Sequence, residues 1–212
     1  MRQFILMFLA VMICSRVSSQ TENGGLFKKF YNNHLSTNVV QSKPQIFAEI
    51  NPQFFAFGGG GGGLGVEFSR FQTGFIYIQS KLTPTFRDAI FENAKTLTVP
   101  KNAAAEIFAN IFLRKDRKGL YAGTIFSQDW YTVIDDKTQQ KETFSKQYVV
   151  ARTGFRWFPL QNHFYIDGGY GVSFNLSGSK SRSLGASTYS PKSVLALPFF
   201  AVGGRFSLNS KN

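Results

Sequence analysis

Seven charged residues could do chemistry together in this 212-residue chain: Glu49, Glu67, Glu106 and Asp167, against Arg152, Arg156 and Arg205. Carboxylates held close together shift one another's proton affinity, and can act as paired acid and base or pass protons and ions. Interleaved with arginines, the same groups make ion pairs in which each charge is satisfied. Other catalytic material is thin. The histidines are His34 and His163, the one cysteine is Cys14, and no H-E-x-x-H, G-x-S-x-G or metal-spaced cluster occurs. The six glycines Gly58–Gly63 formally contain G-x-G-x-x-G, but a dinucleotide loop needs a helix to open after it. LGVEFSR follows instead, with period two and no Walker-type Lys-Ser/Thr. No enzyme, cofactor or metal site is expected, and the glycines read as a hairpin tip or a glycine-rich strand margin.

The elements that would gather the seven charges show in the alternation. In HFYIDGGYGVSFNLS, Phe164, Ile166, Tyr170, Val172, Phe174 and Leu176 share one face, and Asp167 lies on the other. Period two over more than a dozen residues marks a long strand. FFAVGGRFSLN sets Phe200, Val202, Phe206 and Leu208 against Arg205, and QYVVARTGFRWF sets Phe155 and Trp157 against Arg152 and Arg156. AEIFANIFL, LGVEFS and IFAEINPQFF place Glu106, Glu67 and Glu49 opposite their aliphatic faces. LYAGTIFSQDW and TGFIYIQS alternate less cleanly, and complete a set of eight strands. RFQ, RKDRKG and PLQN are short links; TPTFRDAIFENAKTLTVPKN, DDKTQQKETFS and SGSKSRSLGASTYSPKSVLA are long ones. In the first long link Thr85 and Asp88 form a capping-box-like helix start, with Phe86, Ile90 and Ala94 on one face.

Export bounds the partners. Arg2 followed by the eleven-residue apolar run Phe4–Cys14 and then SRVSSQ has the form of a secretory signal peptide over 1–19. The run is too short for a membrane helix, which needs about 20 residues. Cys14 follows Ile13, where lipid attachment would want a small residue, and it leaves with the signal. Without Arg2 and Arg16, 22 basic residues face 12 acidic ones, a net charge of +10. That balance calls for anionic partners, and export argues against nucleic acid.

Eight alternating strands with short turns at one end and long loops at the other resemble the small outer-membrane barrels of the OmpA/OmpX-like class, over about residues 45–209. The resemblance implies an all-β, eight-stranded antiparallel up-and-down transmembrane β-barrel, with short periplasmic turns and longer outer loops. Residues 20–44 would be a periplasmic extension, in which 35–41 could add a strand, and 210–212 a C-terminal tail. A polar NSKN follows Leu208, where the class commonly ends on an aromatic. Apolar faces would turn to lipid, and the seven charges inward to a plugged polar lumen with an ion-pair network. Trp130, Tyr131, Trp157, Phe158, Tyr165 and Phe206 would form the aromatic girdles. The run Arg114–Lys118 would be a solvated turn. Lys137, Lys141, Lys180, Arg182 and Lys192 would meet lipopolysaccharide phosphates at the outer rim. The expected role is structural, envelope-stabilising or adhesive through the loops, with an extracellular or periplasmic protein as a further partner. The alternatives are a small-solute pore and a soluble exported ligand-binding barrel.

Overall fold

A computed structural model describes residues 44–160 and 163–207. Each alternating segment forms a strand: β1 (Gln45–Ile50), β2 (Gly60–Phe68), β3 (Phe71–Leu82), β4 (Leu97–Phe112), β5 (Gly119–Asp135), β6 (Lys141–Leu160), β7 (Phe164–Asn175) and β8 (Val194–Ser207). Each strand pairs antiparallel with its sequence neighbour, and β1 pairs with β8. The sheet therefore closes on itself, which leaves no exposed edge strand around most of its circumference. The segment 35–41, the tail 210–212 and the proposed signal lie outside the described residues.

The strands are uneven, from six residues in β1 to 20 in β6. Asn175 at the top of β7 pairs with Tyr148, so β6 from Lys141 to Gln147 continues past β7 and pairs only with β5. Two stretches expected as loop are thus strand: LTVPKN opens β4, and KETFS opens β6. Their loops shorten accordingly, that between β5 and β6 to five residues, 136–140.

Prolines sit where the ladder tolerates a missing N–H. Pro100 lies in the irregular register between Thr98 and Lys101, and Pro159 in that between Trp157 and Leu160. Pro198 lies in the part of β8 that pairs with β7 alone, because β1 reaches no further than Val202.

The hexaglycine divides between the two expected readings, a turn and a glycine-rich strand margin. The turn after β1 is a 3₁₀-helix, Pro52–Phe57, closed by Gly58 in the left-handed region at φ 66°, whereas Gly60–Gly63 belong to β2. Their lack of side chains is used for packing. A Cβ at Gly59 would run into the Gln79 carbonyl oxygen, and one at Gly61 would press on Ile78 and Phe54 at 3.1 Å. The stretch serves mainly as a strand against which neighbours lie flat.

At the end bearing the long connections, α1 (Pro84–Ile90) starts at Thr83 with Pro84 in its first turn. No side chain caps it, so the Thr85–Asp88 box does not form. A small sheet of Phe91–Glu92, Ser187–Pro191 and Arg182–Leu184 follows. These pieces bury Ile90, Phe91, Leu184 and Tyr189 against Leu97, Tyr131, Val133 and Phe144 of the tall strands. Phe91 packs edge-on to Tyr131, Phe144 and Tyr189, with ring centroids 5.2–6.2 Å apart. The tall hairpin and the loops thus share an apolar core beyond the barrel mouth.

Candidate functional site

The lumen near the short-turn end is filled by one hydrogen-bonded network. Glu67 on β2 is fully buried, and its two oxygens take Arg156 Nη1 at 2.5 Å and Arg117 Nε at 2.9 Å. Arg205 Nη1 stands 3.7 Å from the same carboxylate. Arg156 also grips Asp167 through Nε and Nη2, at 3.1 and 2.8 Å, and donates to Gln72 Oε1 at 3.0 Å. Tyr121 donates to the other Asp167 oxygen at 2.7 Å. Arg152 joins through a relay: its Nε donates to Asn110 Oδ1 at 2.9 Å, and Asn110 Nδ2 donates to Gln72 at 2.8 Å. Charges this deep are tolerable because each finds several partners.

Aromatic rings share the space. The Arg156 guanidinium lies 3.9 Å from the Tyr165 ring centroid and 4.8 Å from that of Phe112. Arg152 lies over Phe108 at 4.6 Å, and Arg205 over Phe158 at 4.1 Å. Glycines on adjoining strands make room: a Cβ at Gly74 would meet Phe47 at 2.8 Å, and one at Gly169 would meet Phe199 at 2.8 Å. Tyr121 covers Gly154, and Tyr165 covers Gly203, in the same way. The filling is a mixed ionic and aromatic one.

Glu67, Asp167, Arg156 and Arg205 therefore meet, and Arg152 reaches them through Asn110 and Gln72. Glu49 lies apart and accepts from Tyr165 Oη at 2.8 Å. Glu106 faces the outer half of the lumen, beside Ser127 and Asp129. Two girdle assignments are corrected: Tyr131 is 2% exposed and Tyr165 fully buried, both inside, because they share strand parity with the inward residues. Phe158 is half-buried beneath Arg205. Trp130, Trp157 and Phe206 do face outward.

Arg117 is the largest correction. It belongs to the run expected as a solvated turn, yet it is 1% exposed and inserted into the lumen. It donates to Glu67, to Ser69 O at 2.8 Å and to Gln45 Oε1 at 2.5 Å. Its backbone adopts φ 59°, which turns the side chain back under the barrel. Asp116 braces this turn by accepting from both Arg114 Nε (3.0 Å) and Nη2 (2.7 Å), and from the Lys118 N–H. Burial pushes the Asp116 carboxyl up, but these donors outweigh it and hold the group below the usual aspartate range. His163 Nδ1 lies 3.4 Å from Arg205 O at the same end; His34 lies outside the described residues.

At the rim, Lys137, Lys141 and Lys180 are exposed. Arg182 is paired with Glu142 and lies over Phe144, and Lys192 donates to Asp88 O at 2.8 Å. Among the described residues no three of His, Cys, Asp and Glu gather as a metal cluster.

The outside of the barrel is the reverse of the inside. Large apolar side chains stand exposed around the ring, including Leu64 at 64%, Ile107 at 62%, Phe155 at 49% and Tyr170 at 52%. On β6 the outward residues run apolar or uncharged from Val149 to Trp157, then turn polar at Gln147, Ser145 and Lys141. Nine residues of tilted strand match the roughly 9–11 needed to cross a bilayer.

No protein-family model matches the chain, and no curated protein matches it. Solved structures do resemble it. The N-terminal β-barrel domain of Pseudomonas aeruginosa OprF is 12% identical, with 78% of this chain and 98% of that one covered at a TM-score of 0.44. A major outer membrane protein of Thermus thermophilus is 14% identical, with 77% and 99% covered at 0.43. Neisserial surface protein A is 13% identical, with 78% and 96% covered at 0.39. The fold of this chain, a closed ring of eight antiparallel strands, stands on its own strand pairing.

Proposed function

We propose that this protein is an outer-membrane barrel, exported by its N-terminal signal, that acts as a structural and binding element of the envelope. The observation that carries the reading is the continuous outward belt of exposed apolar side chains around a closed ring of strands. Such a surface is stable in hydrocarbon and a liability in water. A soluble barrel would turn these faces inward, so that alternative has no support. The short-turn end faces the periplasm and the folded cap faces outward, following the usual disposition of turns and loops.

The lumen is plugged in this reading. The Glu67–Arg156–Asp167 network and its aromatic neighbours close the periplasmic half, and the apolar core of α1 and the small sheet covers the outer mouth. What remains available for work is the cap and rim. Lys137, Lys141 and Lys180 stand where lipopolysaccharide phosphates lie, and the small sheet offers a fixed surface to an extracellular partner.

The test is fractionation of the envelope, followed by gel mobility in SDS with and without boiling, and then conductance in planar bilayers. A boiling-dependent shift in the outer-membrane fraction, with no steady conductance, is expected. Recovery in the soluble periplasmic fraction would overturn the membrane reading, and stable single-channel steps would replace the plugged barrel by a small-solute pore.

A further inference from the structure

The wall of the barrel steps down where β6 runs on beyond β7. β7 ends at Asn175, level with Tyr148, and the chain then leaves the wall and crosses to the inner face of β6. Two contacts fix the crossing. The Gly178 carbonyl accepts from Lys146 Nζ at 2.6 Å. Four residues later Arg182 pairs with Glu142 and lies over the Phe144 ring at 4.3 Å. Glu142, Phe144 and Lys146 are successive inward residues of β6, spaced by about 7 Å, so Arg182 and Lys146 meet the same stretch of wall. Lys180, which is exposed, stands midway along the chain between the two fixed points.

Three cations thus converge on one notch beside a single carboxylate. Lys146 is the unusual member. It is 5% exposed, and among the described residues it has no ion pair. Its ammonium carries three N–H donors and gives one, to a carbonyl that also accepts from Asn175 Nδ2 at 3.2 Å. Asp129, opposite Lys146 in the register, takes its hydrogen bonds from Ser127 and Tyr131 instead. Burial, with the like charges of Arg182 and Lys180 nearby, pulls the Lys146 ammonium below the ordinary lysine proton affinity. Arg182 gives a guanidinium N–H to Glu142, and among the described residues Lys180 makes no hydrogen bond or ion pair. A buried ammonium beside two further cations calls for an anion.

We infer that this notch binds one tetrahedral oxyanion of the phosphate class, held by Lys146, Lys180 and Arg182. Three positive charges less the Glu142 carboxylate leave two, which matches a phosphate dianion. The donors suit it as well: a guanidinium held flat against Phe144, and two ammoniums that act as point charges. The same chemistry comes from two sources, a phosphorylated lipid headgroup of the outer leaflet or free phosphate from the medium. The inference rests on the reading of this rim as phosphate-binding and narrows it to one site, in which Lys137 and Lys141 take no part.

The experiment uses the full mature chain, folded in phosphate-free micelles without lipopolysaccharide and titrated calorimetrically with inorganic phosphate. Saturation at one ion per barrel is expected, and equimolar chloride should not compete. Lys146→Gln and Lys180→Gln should each weaken binding by about tenfold or more, the loss of one charge-assisted hydrogen bond. Lys101→Gln, at an exposed position on β4, should leave it unchanged. Gel mobility without boiling verifies folding, and the exposed Lys180 tests the site should Lys146→Gln fail to fold. A second arm titrates lipopolysaccharide before and after enzymatic removal of its phosphates. Binding of the phosphorylated form alone, weakened in both lysine variants, supports the site with the lipid as its source. Phosphate binding with no preference between the two lipids supports it with the medium as source. Absence of saturable binding in both arms overturns the inference together with the phosphate reading of the rim. Binding that both variants retain in full, but that Lys137→Gln or Lys141→Gln weakens, overturns this site and keeps the rim. Neither failure touches the outer-membrane reading, which fractionation decides separately.

Discussion

At the residue scale, Glu67 is the hub of the periplasmic plug, since three arginines turn toward it. Glu67→Ala would leave buried guanidinium charges without their acceptor, and removing one partner of a buried pair costs about 3–5 kcal/mol. Urea unfolding in micelles should show a loss of that order, while Glu142→Ala, at a half-exposed pair, should change stability by less than about 1 kcal/mol. Glycines offer a second contrast. A Cβ at Gly65 would strike the Thr73 carbonyl oxygen and the Phe47 ring, whereas one at Gly60 meets only the movable edge of Phe55 at 3.2 Å. Gly65→Ala should therefore cut the yield of heat-modifiable barrel sharply, and Gly60→Ala should leave it near wild type. Asp116 gives a pH signature. Its folded proton affinity is lowered, so its contribution is fully present above the ordinary aspartate value of 3.8 and fades as pH falls through the folded value. Asp116→Ala should cost about 0.5–1 kcal/mol at pH 7, after allowing for solvent screening of a partly exposed pair. Near pH 2 the variant and the wild type should converge; a gap that persists there would mean the carboxylate is not the brace. Sequence reasoning could gather Glu67, Arg156 and Asp167 because strand parity alone puts them inside. It could not find Arg117, since a basic residue in a turn shows no periodicity and only the φ of 59° directs it into the lumen.

At the scale of elements, alternation was legible wherever one face meets lipid and the other meets the lumen, which is why all eight strands could be placed. It fades where a strand leaves the bilayer. In KETFSKQ, the outward residues are polar because they meet water, and Phe144 is the one large apolar side chain on the inward face. The cap core was illegible for a related reason: Phe91, Leu184 and Tyr189 come from separate loops, and their packing depends on long-range closure. Asp129 shows an available signal that an imperfect pattern hides, since Tyr121, Ser127, Asp129 and Tyr131 share one parity along β5. The lipid-facing parity makes a direct prediction. Val172 points outward on β7, so Val172→Arg should cost about 2–4 kcal/mol if it lies near the midplane, and should lower the assembled fraction in a refolding assay into vesicles. Full assembly of that variant would mean the outer face of β7 is not in contact with hydrocarbon.

At the scale of the whole molecule, the barrel is a ring of unequal joints. β5 and β6 are registered over sixteen residue pairs, whereas β1 meets β8 over six and β2 over six. Above Val202 the wall between β8 and β2 is completed by the 3₁₀-helix Pro52–Phe57, with Asn51 Nδ2 reaching the Phe200 carbonyl at 3.5 Å. The consequence is mechanical. Gln45 and Ser207 are neighbours at the same end, so tension applied to the two chain ends pulls the first and last strands apart as a zipper, breaking one rung at a time rather than shearing all at once. β1 should peel away at low force as a short first event in a single-molecule pulling trace, and the remaining strands should follow in larger, hairpin-sized steps.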